Sequence, residues 1–354
     1  MADRAASFPD ELSLLATQVE ARVAALFESE ITRWAAVDSA LVEPLVALRD
    51  LVLAGGKRLR PAFCGAAHLG AGGALDDPVL VDAGAALELL HTFALVHDDV
   101  MDGSVTRRGM AAVHTRFERV HDHEALAGER RRFGEGLAIL VGDFAVVYAD
   151  VLLRSTPASG SALWDELRLE LCVGQSLDLV GAARRSTDLD FAARIAQFKS
   201  AKYTVERPLH LGAALRGALD TLRAPLSAVG LPLGSAFQLR DDILGVFGDA
   251  ELTGKPVGDD LREGKPTLLV ALAAAQADAD ERRLLDRIGS PDLDELDVKS
   301  LQELFVTTGA LRRVEHRIDD LVGEALAAVE AAPIGADARA LLARLATYVA
   351  WRDH

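Results

Sequence analysis

Apolar residues recur at every third or fourth position through almost the whole chain, with polar residues filling the other faces. That period is the mark of amphipathic helices, and neither a convincing two-residue alternation nor an Asn-Gly turn argues for strands. The pattern predicts a first helix over residues 11–34, with Leu14, Leu15, Val19, Val23, Leu26 and Phe27 on its inner face. A second, over 41–53, stops at Gly55-Gly56, and a third, over 61–69, ends at Gly70. Asp77 followed by Pro78 is an N-cap with a first-turn proline, opening a helix that runs to Asp98. Residues 120–132 are strongly charged, with Arg130, Arg131 and Arg132 in a row, and read as a solvated lid or surface helix. Long helices are expected over 137–154, 162–183 and 189–217. Pro225 suits a first helical turn, whereas Pro232 is expected to break 221–247 into two helices. Residues 253–266 are interrupted by Gly254, Pro256, Gly258, Gly264 and Pro266 and read as an irregular loop. Helices resume to the end, one of them capped by Ser300 with Glu303. No linker, composition shift or short repeat divides the chain. The expectation is an all-α protein, a single large helical bundle domain over residues 1–354 around a central apolar cavity. An N-terminal helix falls in 1–35, and 103–136 and 250–267 are lid or loop regions.

The apolar pattern fails in two places, and in the same way. Residues 89–110, LLHTFALVHDDVMDGSVTRRGM, begin as an unbroken apolar run and turn acidic at Asp98, Asp99 and Asp102. On a helix Asp98 and Asp102 are one turn apart on one face, where two bare carboxylates repel unless a cation sits between them. All-oxygen ligands favour a hard ion such as Mg²⁺. His91 lies on the same stripe about 10 Å lower, at about 1.5 Å per residue. Residues 237–249, FQLRDDILGVFGD, repeat the theme: Gln238, Asp241 and Asp242 share a helical face. Two such helices facing each other make an acidic mouth over an apolar interior.

Composition narrows the partners. Half the residues are hydrophobic and only 5% aromatic, which suits an aliphatic pocket better than surfaces that stack bases. A formal net charge of −16 argues against a nucleic-acid partner and means that an anionic substrate must be drawn in by local cations or metal ions. Cys64 and Cys172 each lie in an apolar helical pattern and read as buried free thiols of a reducing, cytoplasmic protein. The first residues, MADRAASFPDELS, lack the apolar core of a signal peptide. The best span candidate, 137–153, carries Asp143 and Asp150 and is short of the about 20 apolar residues a bilayer needs, so no membrane span is expected. The segment GGKRLRP at 55–61 offers flexible glycines with Lys57, Arg58 and Arg60; alone it fits a phosphate cradle or a capped helix end with solvated basic residues. Lys199, Lys202, Lys255 and Lys265 are each ordinary surface lysines alone, although Lys255 and Lys265 share a glycine-proline loop that can close on a ligand.

Taken in order, the two aspartate-rich helices, GGKRLRP, the pair Arg107-Arg108 and the two loop lysines resemble the trans-isoprenyl diphosphate synthases, the all-helical head-to-tail prenyltransferases. The resemblance runs from about Ala36 to the C-terminus. It implies the isoprenoid-synthase bundle, a homodimer, and condensation of isopentenyl diphosphate with dimethylallyl, geranyl or farnesyl diphosphate. It implies three Mg²⁺ ions, with Asp98 and Asp102 bridging two and Asp241 holding the third, and with Asp99, Asp242 and Lys199 completing the catalytic set. Lys57, Arg60, His91 and Arg108 resemble the isopentenyl diphosphate pocket. Arg107, Lys199, Ser200, Gln238, Lys255 and Lys265 resemble the contacts to the allylic diphosphate. Many members have Lys-Thr where this chain has Lys199-Ser200, and a third aspartate where it has Gly245. Phe93 and Ala94, five and four places before Asp98, occupy the chain-length positions; a bulky group at only the lower one favours a geranylgeranyl (twenty-carbon) product over farnesyl or longer chains. A terpene cyclase would need one diphosphate pocket rather than two, and a non-catalytic regulatory subunit would lack aspartates of the first motif.

Overall fold

The computed structural model describes residues 8–154, 156–248 and 257–350. Helix α1 (Asp10–Ala35) buries Leu12, Leu15, Val19, Val23 and Phe27, a stripe phased differently from the expected one. Leu14 points to solvent at 63% exposure and Leu26 is half-buried, because Leu12 rather than Leu14 continues the three-and-four spacing inward. Next come α2 (Val42–Leu53) and α3 (Leu59–Gly70). Helix α4 (Pro78–Asp102) starts as its sequence dictates: the Asp77 side chain accepts from Val79 N–H, and Pro78 fills the first turn. It ends at Gly103, whose φ of 69° turns the chain away from the helix axis.

The region 103–136 is more ordered than a loop. Thr106–Arg107 (β1) pairs antiparallel with Met110–Ala111 (β2). The two residues between, Arg108 and Gly109, both have positive φ, at 53° and 74°, the conformation of a tight primed turn. Arg-Gly makes the turn here, in place of the commoner Asn-Gly. The charged segment 120–132 is not one surface helix. It divides between the end of α5 (Val113–His123) and the start of α6 (Arg130–Leu152), because Glu129 caps the amides of Arg131 and Arg132.

Helix α7 (Ala158–Arg184) is followed by a single run of helix with a change of pitch inside it. Residues 189–217 were expected as one α-helix. Instead α8 (Leu189–Ile195) passes into a π-helix (Ala196–Glu206) and then α9 (Arg207–Leu215). Helix α10 (Leu219–Phe247) is unbroken through Pro225 and Pro232, against the expected division. Packing explains the difference. A side chain at Gly230 would meet Glu206 Cα at 2.7 Å, and one at Gly234 would meet Ala201 O at 2.5 Å. The π-helix therefore lies directly on the proline-bearing stretch and holds it helical, outweighing the lost backbone bond.

Beyond α10 come α11 (Asp259–Glu263), α12 (Leu268–Ala274), α13 (Ala279–Leu285), α14 (Glu295–Thr307), α15 (Ala310–Ala331) and α16 (Ala336–Ala350). The segment 253–266, read as irregular, thus contains a helical turn at α11. The capping box expected at Ser300 and Glu303 does not form. Ser300 sits inside α14 and donates to Leu296 O, while Asp294 with Asp297 caps that helix and Asp278 with Glu281 caps α13. The apolar side chains form two clusters: one joins α1–α4, α6, α7 and α9 with the first part of α10 and with α16, the other joins the end of α10 to α11–α15. Helix α10 belongs to both and faces α4 across the gap between them.

Two smaller expectations change. Cys64 is buried, where loss of solvent pushes its thiol up, but Cys172 is exposed on α7. Among the described residues the helix long and apolar enough to cross a bilayer is α4, not 137–153; 61% of its most apolar window is buried inside the fold.

Candidate active site

Both aspartate-rich helix ends open on one cavity of about 580 Å³. Its lower walls are aliphatic and aromatic: Ala94 and Leu95 from α4, Leu171 from α7, Ile195 from α8, Phe237 and Leu244 from α10. At the rim, Asp98 Oδ1 accepts from Lys199 Nζ at 3.1 Å and from Gln175 Nε2 at 2.9 Å. Lys199 also pairs with Asp178 of α7. Burial alone would raise the Asp98 carboxyl, but Lys199, Lys265 and Arg107 reverse that and hold it far below the usual carboxylate range. Asp102, one turn on, behaves oppositely. Burial and then repulsion from Asp98 push it up to about 7. Its Oδ2 is buried without a hydrogen-bond partner, and Lys265 Nζ stands 4.0 Å away. Asp99 turns from the cavity into a fully buried pair with Arg107, whose guanidinium also reaches within 3.7 Å of Asp98.

Across the mouth, α10 presents Gln238, Asp241 and Asp242 to the same cavity. Gln238 donates to Asp242 Oδ1 at 2.6 Å. Burial outweighs that bond, repulsion from Asp260 and Asp241 adds to it, and Asp242 is pushed up to about 8. Lys265, beyond the end of α11, bridges the two rims. It pairs with Asp260 at 3.1 Å and with Glu263, whose other oxygen accepts from Ser104 at 3.1 Å. Lys199 and Lys265 are both held firmly protonated: burial opposes their charge, and the surrounding carboxylates more than restore it.

A second cationic group lies on the α3 side. Arg60 donates to Tyr203 Oη at 2.5 Å and to Thr204 Oγ1 at 3.0 Å, and that phenol lies 3.0 Å from His91 Nδ1. Burial, followed by Arg60, Arg108 and Arg107, drives His91 well below its ordinary value, so its imidazole is neutral. Arg108 donates to Leu51 O at 3.1 Å, and Lys57 Nζ stands 5.0 Å over the Tyr348 ring. Arg58 does something different from its neighbours. Its backbone takes a φ of 48°, and its buried guanidinium bonds Glu88 at 2.7 Å, Glu20 at 3.0 Å and Val52 O at 2.8 Å. It ties the GGKRLRP segment to the core and leaves Lys57, Arg60 and Arg108 for the cavity.

The polyprenyl synthetase family model matches residues 44–305. The chain belongs to the polyprenyl synthetase family. It is 32% identical to the geranylfarnesyl diphosphate synthase of Aeropyrum pernix over 85% of this chain and 92% of that one. It is 34% identical to the (2E,6E)-farnesyl diphosphate synthase of Mycobacterium tuberculosis over 73% of this chain and 68% of that one. A crystal structure of geranylgeranyl pyrophosphate synthase from Corynebacterium glutamicum, complexed with isoprenyl diphosphate and magnesium, superposes with a TM-score of 0.90 at 35% identity, covering 95% of this chain and 98% of that one. This polyprenyl synthetase is a trans-prenyltransferase with the all-α isoprenoid-synthase fold.

Set against the sequence expectations, the polyprenyl synthetase brings Asp98, Lys199, Ser200, Gln238, Asp241, Asp242, Arg107 and Lys265 to one side of the cavity and Lys57, Arg60, His91 and Arg108 to the other. Ala94 lines it; Phe93 packs edge-on against His97, ring centres 4.6 Å apart, on the flank of α4 that meets α6. Lys255 lies outside the described residues. Gln175, Asp178, Tyr203 and Tyr348 were missed. Gln175 and Asp178 did leave a signal, since both fall on the inward stripe of α7 with Leu167 and Leu171, where a polar group needs a partner.

The donor set fits a hard cation. The rims offer carboxylate oxygens, and Asp102 Oδ2 is a buried acceptor with no donor. Yet among the described residues no three acidic, histidine or cysteine side chains converge into a ready-made metal cage. Lys199 and Lys265 stand among the aspartates instead. That matches an ion held by one or two carboxylates and completed by phosphate oxygens of a ligand, the habit of Mg²⁺.

Proposed function

We propose that this enzyme condenses isopentenyl diphosphate head to tail with an allylic diphosphate, using Mg²⁺, and that its main product is geranylgeranyl diphosphate. The observation that carries the reading is the pair of separate cationic groups over a single apolar cavity, one acidic-rimmed and one not. The allylic diphosphate sits at the acidic rim, where Asp98, Asp102 and Asp241 hold the metal ions. Three ions are expected, as the resemblance implies. When bound, Mg²⁺ neutralises the diphosphate and makes it a better leaving group. Lys199, Lys265, Arg107 and Gln238 steady the phosphate oxygens as the C–O bond breaks and the electron pair leaves with pyrophosphate. Lys57, Arg60, Arg108 and neutral His91 hold the isopentenyl diphosphate, so that its double bond faces the cation. That double bond supplies the electrons of the new C–C bond, and a proton is lost to pyrophosphate. The aliphatic walls exclude water, which would otherwise capture the cation.

The twenty-carbon assignment is supported by small Ala94 facing the cavity one turn below Asp98, which leaves the tail room to pass. Relatives span farnesyl to geranylfarnesyl synthases, so product length is the quantity to measure. Incubation of isopentenyl diphosphate with each allylic starter and Mg²⁺, followed by chromatography, is expected to give mainly the twenty-carbon diphosphate. A dominant fifteen- or twenty-five-carbon peak rejects that assignment, and no Mg²⁺-dependent pyrophosphate release rejects the condensation.

The working unit is a homodimer in this reading. Leu169, Val173 and Val180 on α7 and Ile139, Leu140 and Val147 on α6 form apolar stripes left exposed in the single chain, as a second copy would cover. Sedimentation equilibrium is expected to give the mass of two chains; a monomer mass at micromolar concentration rules it out.

A further inference from the structure

Tyr203 lines the cavity, and the reading above leaves it without a task. It rides on the π-helix with Lys199, yet its hydroxyl reaches the other cationic group, between Arg60 and His91. Burial, despite Arg60, holds the phenol above its ordinary value, so the hydroxyl keeps its proton. The direction of its bonds follows from the donors present. Arg60, at 2.5 Å, can only donate, so it takes a lone pair of the phenol oxygen. His91 Nδ1, at 3.0 Å, is the neighbour that can accept the phenol's hydrogen. Were Nδ1 protonated, Arg60 and His91 would both donate to the phenol, and its hydrogen would lose that acceptor in a largely buried place. The bonds therefore run one way, from Arg60 to Tyr203 to His91.

A neutral imidazole that accepts at Nδ1 carries its proton on Nε2. Among the described residues Nε2 has no hydrogen-bond partner, and His91 lines the cavity. We propose that Tyr203 is a positioning residue for the isopentenyl diphosphate site: its hydroxyl fixes the Nε2–H tautomer of His91, so that a donor rather than an acceptor faces the phosphate oxygens. This rests on the isopentenyl diphosphate reading above and names what sets the hydrogen-bonding sense of that group. Arg60 and Arg108 supply its charge, and His91 adds a bond of fixed direction. Without the phenol, the imidazole is free to turn a lone pair toward the phosphate.

Steady-state kinetics on the full chain with Mg²⁺ test the proposal, each substrate varied while the other saturates. Tyr203→Phe removes only the hydroxyl. The ring whose centre lies 4.3 Å from Arg60 Cζ stays, and Thr204 Oγ1 still holds that guanidinium at 3.0 Å. The KM for isopentenyl diphosphate is expected to rise about tenfold, the scale of one hydrogen bond to a charged group, with kcat and the allylic KM within about twofold. A packing role gives a different pattern. Lys199 shares the π-helix, so a disturbed helix raises the allylic KM as well; an equal rise for both substrates overturns the proposal. So does an unchanged KM for isopentenyl diphosphate. His91→Ala separates the relay from direct action on Arg60. On that background Tyr203→Phe is expected to add less than about twofold, and a further rise of about tenfold overturns the proposal, since Tyr203 would then work through Arg60. The wild-type chain gives a second readout. Nitrogen-15 spectra of histidine-labelled protein, with the His91 signals identified by their loss in His91→Ala, are expected to show Nδ1 bare and Nε2 protonated; the reverse overturns the proposal independently of any Tyr203 variant. A wild-type chain that releases no pyrophosphate from the two substrates removes the functional reading itself, and this inference with it, whatever the spectrum shows.

Discussion

Asp98 and Asp102 are the same residue type one turn apart, yet their surroundings drive them in opposite directions. Lys199, Lys265 and Arg107 keep Asp98 ionised, whereas burial and its neighbour's charge keep Asp102 protonated up to about pH 7. Asp102 would ionise near 3.8 in the unfolded chain. A folded value above the unfolded one adds stability that is complete below the unfolded value and disappears as pH rises through the folded one. The metal-free enzyme should therefore lose stability between about pH 4 and 7 from this residue, and Asp102→Asn should flatten that part of a denaturation-versus-pH curve. Metal binding needs the ionised form and so releases the proton. With Asp242 near 8 as well, the Mg²⁺ requirement should fall by about tenfold per pH unit for each proton released between pH 6 and 8, then level off. A midpoint independent of pH in that range would show that neither carboxyl is protonated before the metal arrives. Asp98→Ala is expected to lower turnover by about a thousandfold with a Tm within a few degrees of wild type, because it removes charge from the transition state rather than packing. Retention of near-native turnover at saturating Mg²⁺ would sink that assignment. The paired aspartates were legible in the chain because charged residues interrupt an apolar run there. Tyr203 was not, and Asp178 showed only that it needs a partner, because nothing local tells that an inward polar residue meets Lys199 or Arg60 from another helix.

At the scale of elements, helical periodicity located nearly every segment and misjudged where pitch changes. The π-helix carrying Lys199, Ser200 and Tyr203 has the same apolar spacing as its flanks, so periodicity passes through it unseen. Pro232 gave a break signal that contact with that π-helix overrides. The same contact makes a test. In Gly234→Ala the new methyl would sit 2.5 Å from Ala201 O and 2.6 Å from Ala201 Cα. The variant should lose about 1–3 kcal/mol in urea unfolding, the scale for overpacking a dense interior, and should lose turnover as well because Lys199 moves with its helix. Wild-type stability with reduced turnover would mean that the π-helix yields without strain. Capping errors have a simpler origin. Ser300 and Glu303 satisfy the pattern, as do Asp294 and Asp297, and only the buried Leu301, Leu304 and Phe305 decide which residue starts the helix.

For the whole molecule, the two apolar clusters meet along α10, and the cavity is the seam they leave between α10 and α4. Its existence was readable from two apolar helices ending in carboxylates, but its depth was not, since depth depends on which side chains from α7 and α8 close it. Ala94→Phe puts a ring into the lined wall one turn below Asp98 and is expected to shift output to the fifteen-carbon diphosphate. Phe93→Ser opens the flank toward α6 and is expected to lengthen the product beyond twenty carbons. Chromatograms unchanged in both variants would place the floor on a facing helix. The ammonium groups of Lys199 and Lys265, lodged among the rim carboxylates, have a further consequence. On the proposed function, loading this enzyme would be an ion exchange. In the proposed reading the carboxylates trade lysine for metal while the lysines trade carboxylate for phosphate. A chain of strongly negative overall charge can thereby take up a polyanion, because the metal ions bring the positive charge that the protein as a whole lacks. The second substrate would then meet a site whose charge the arriving ions have already made less negative.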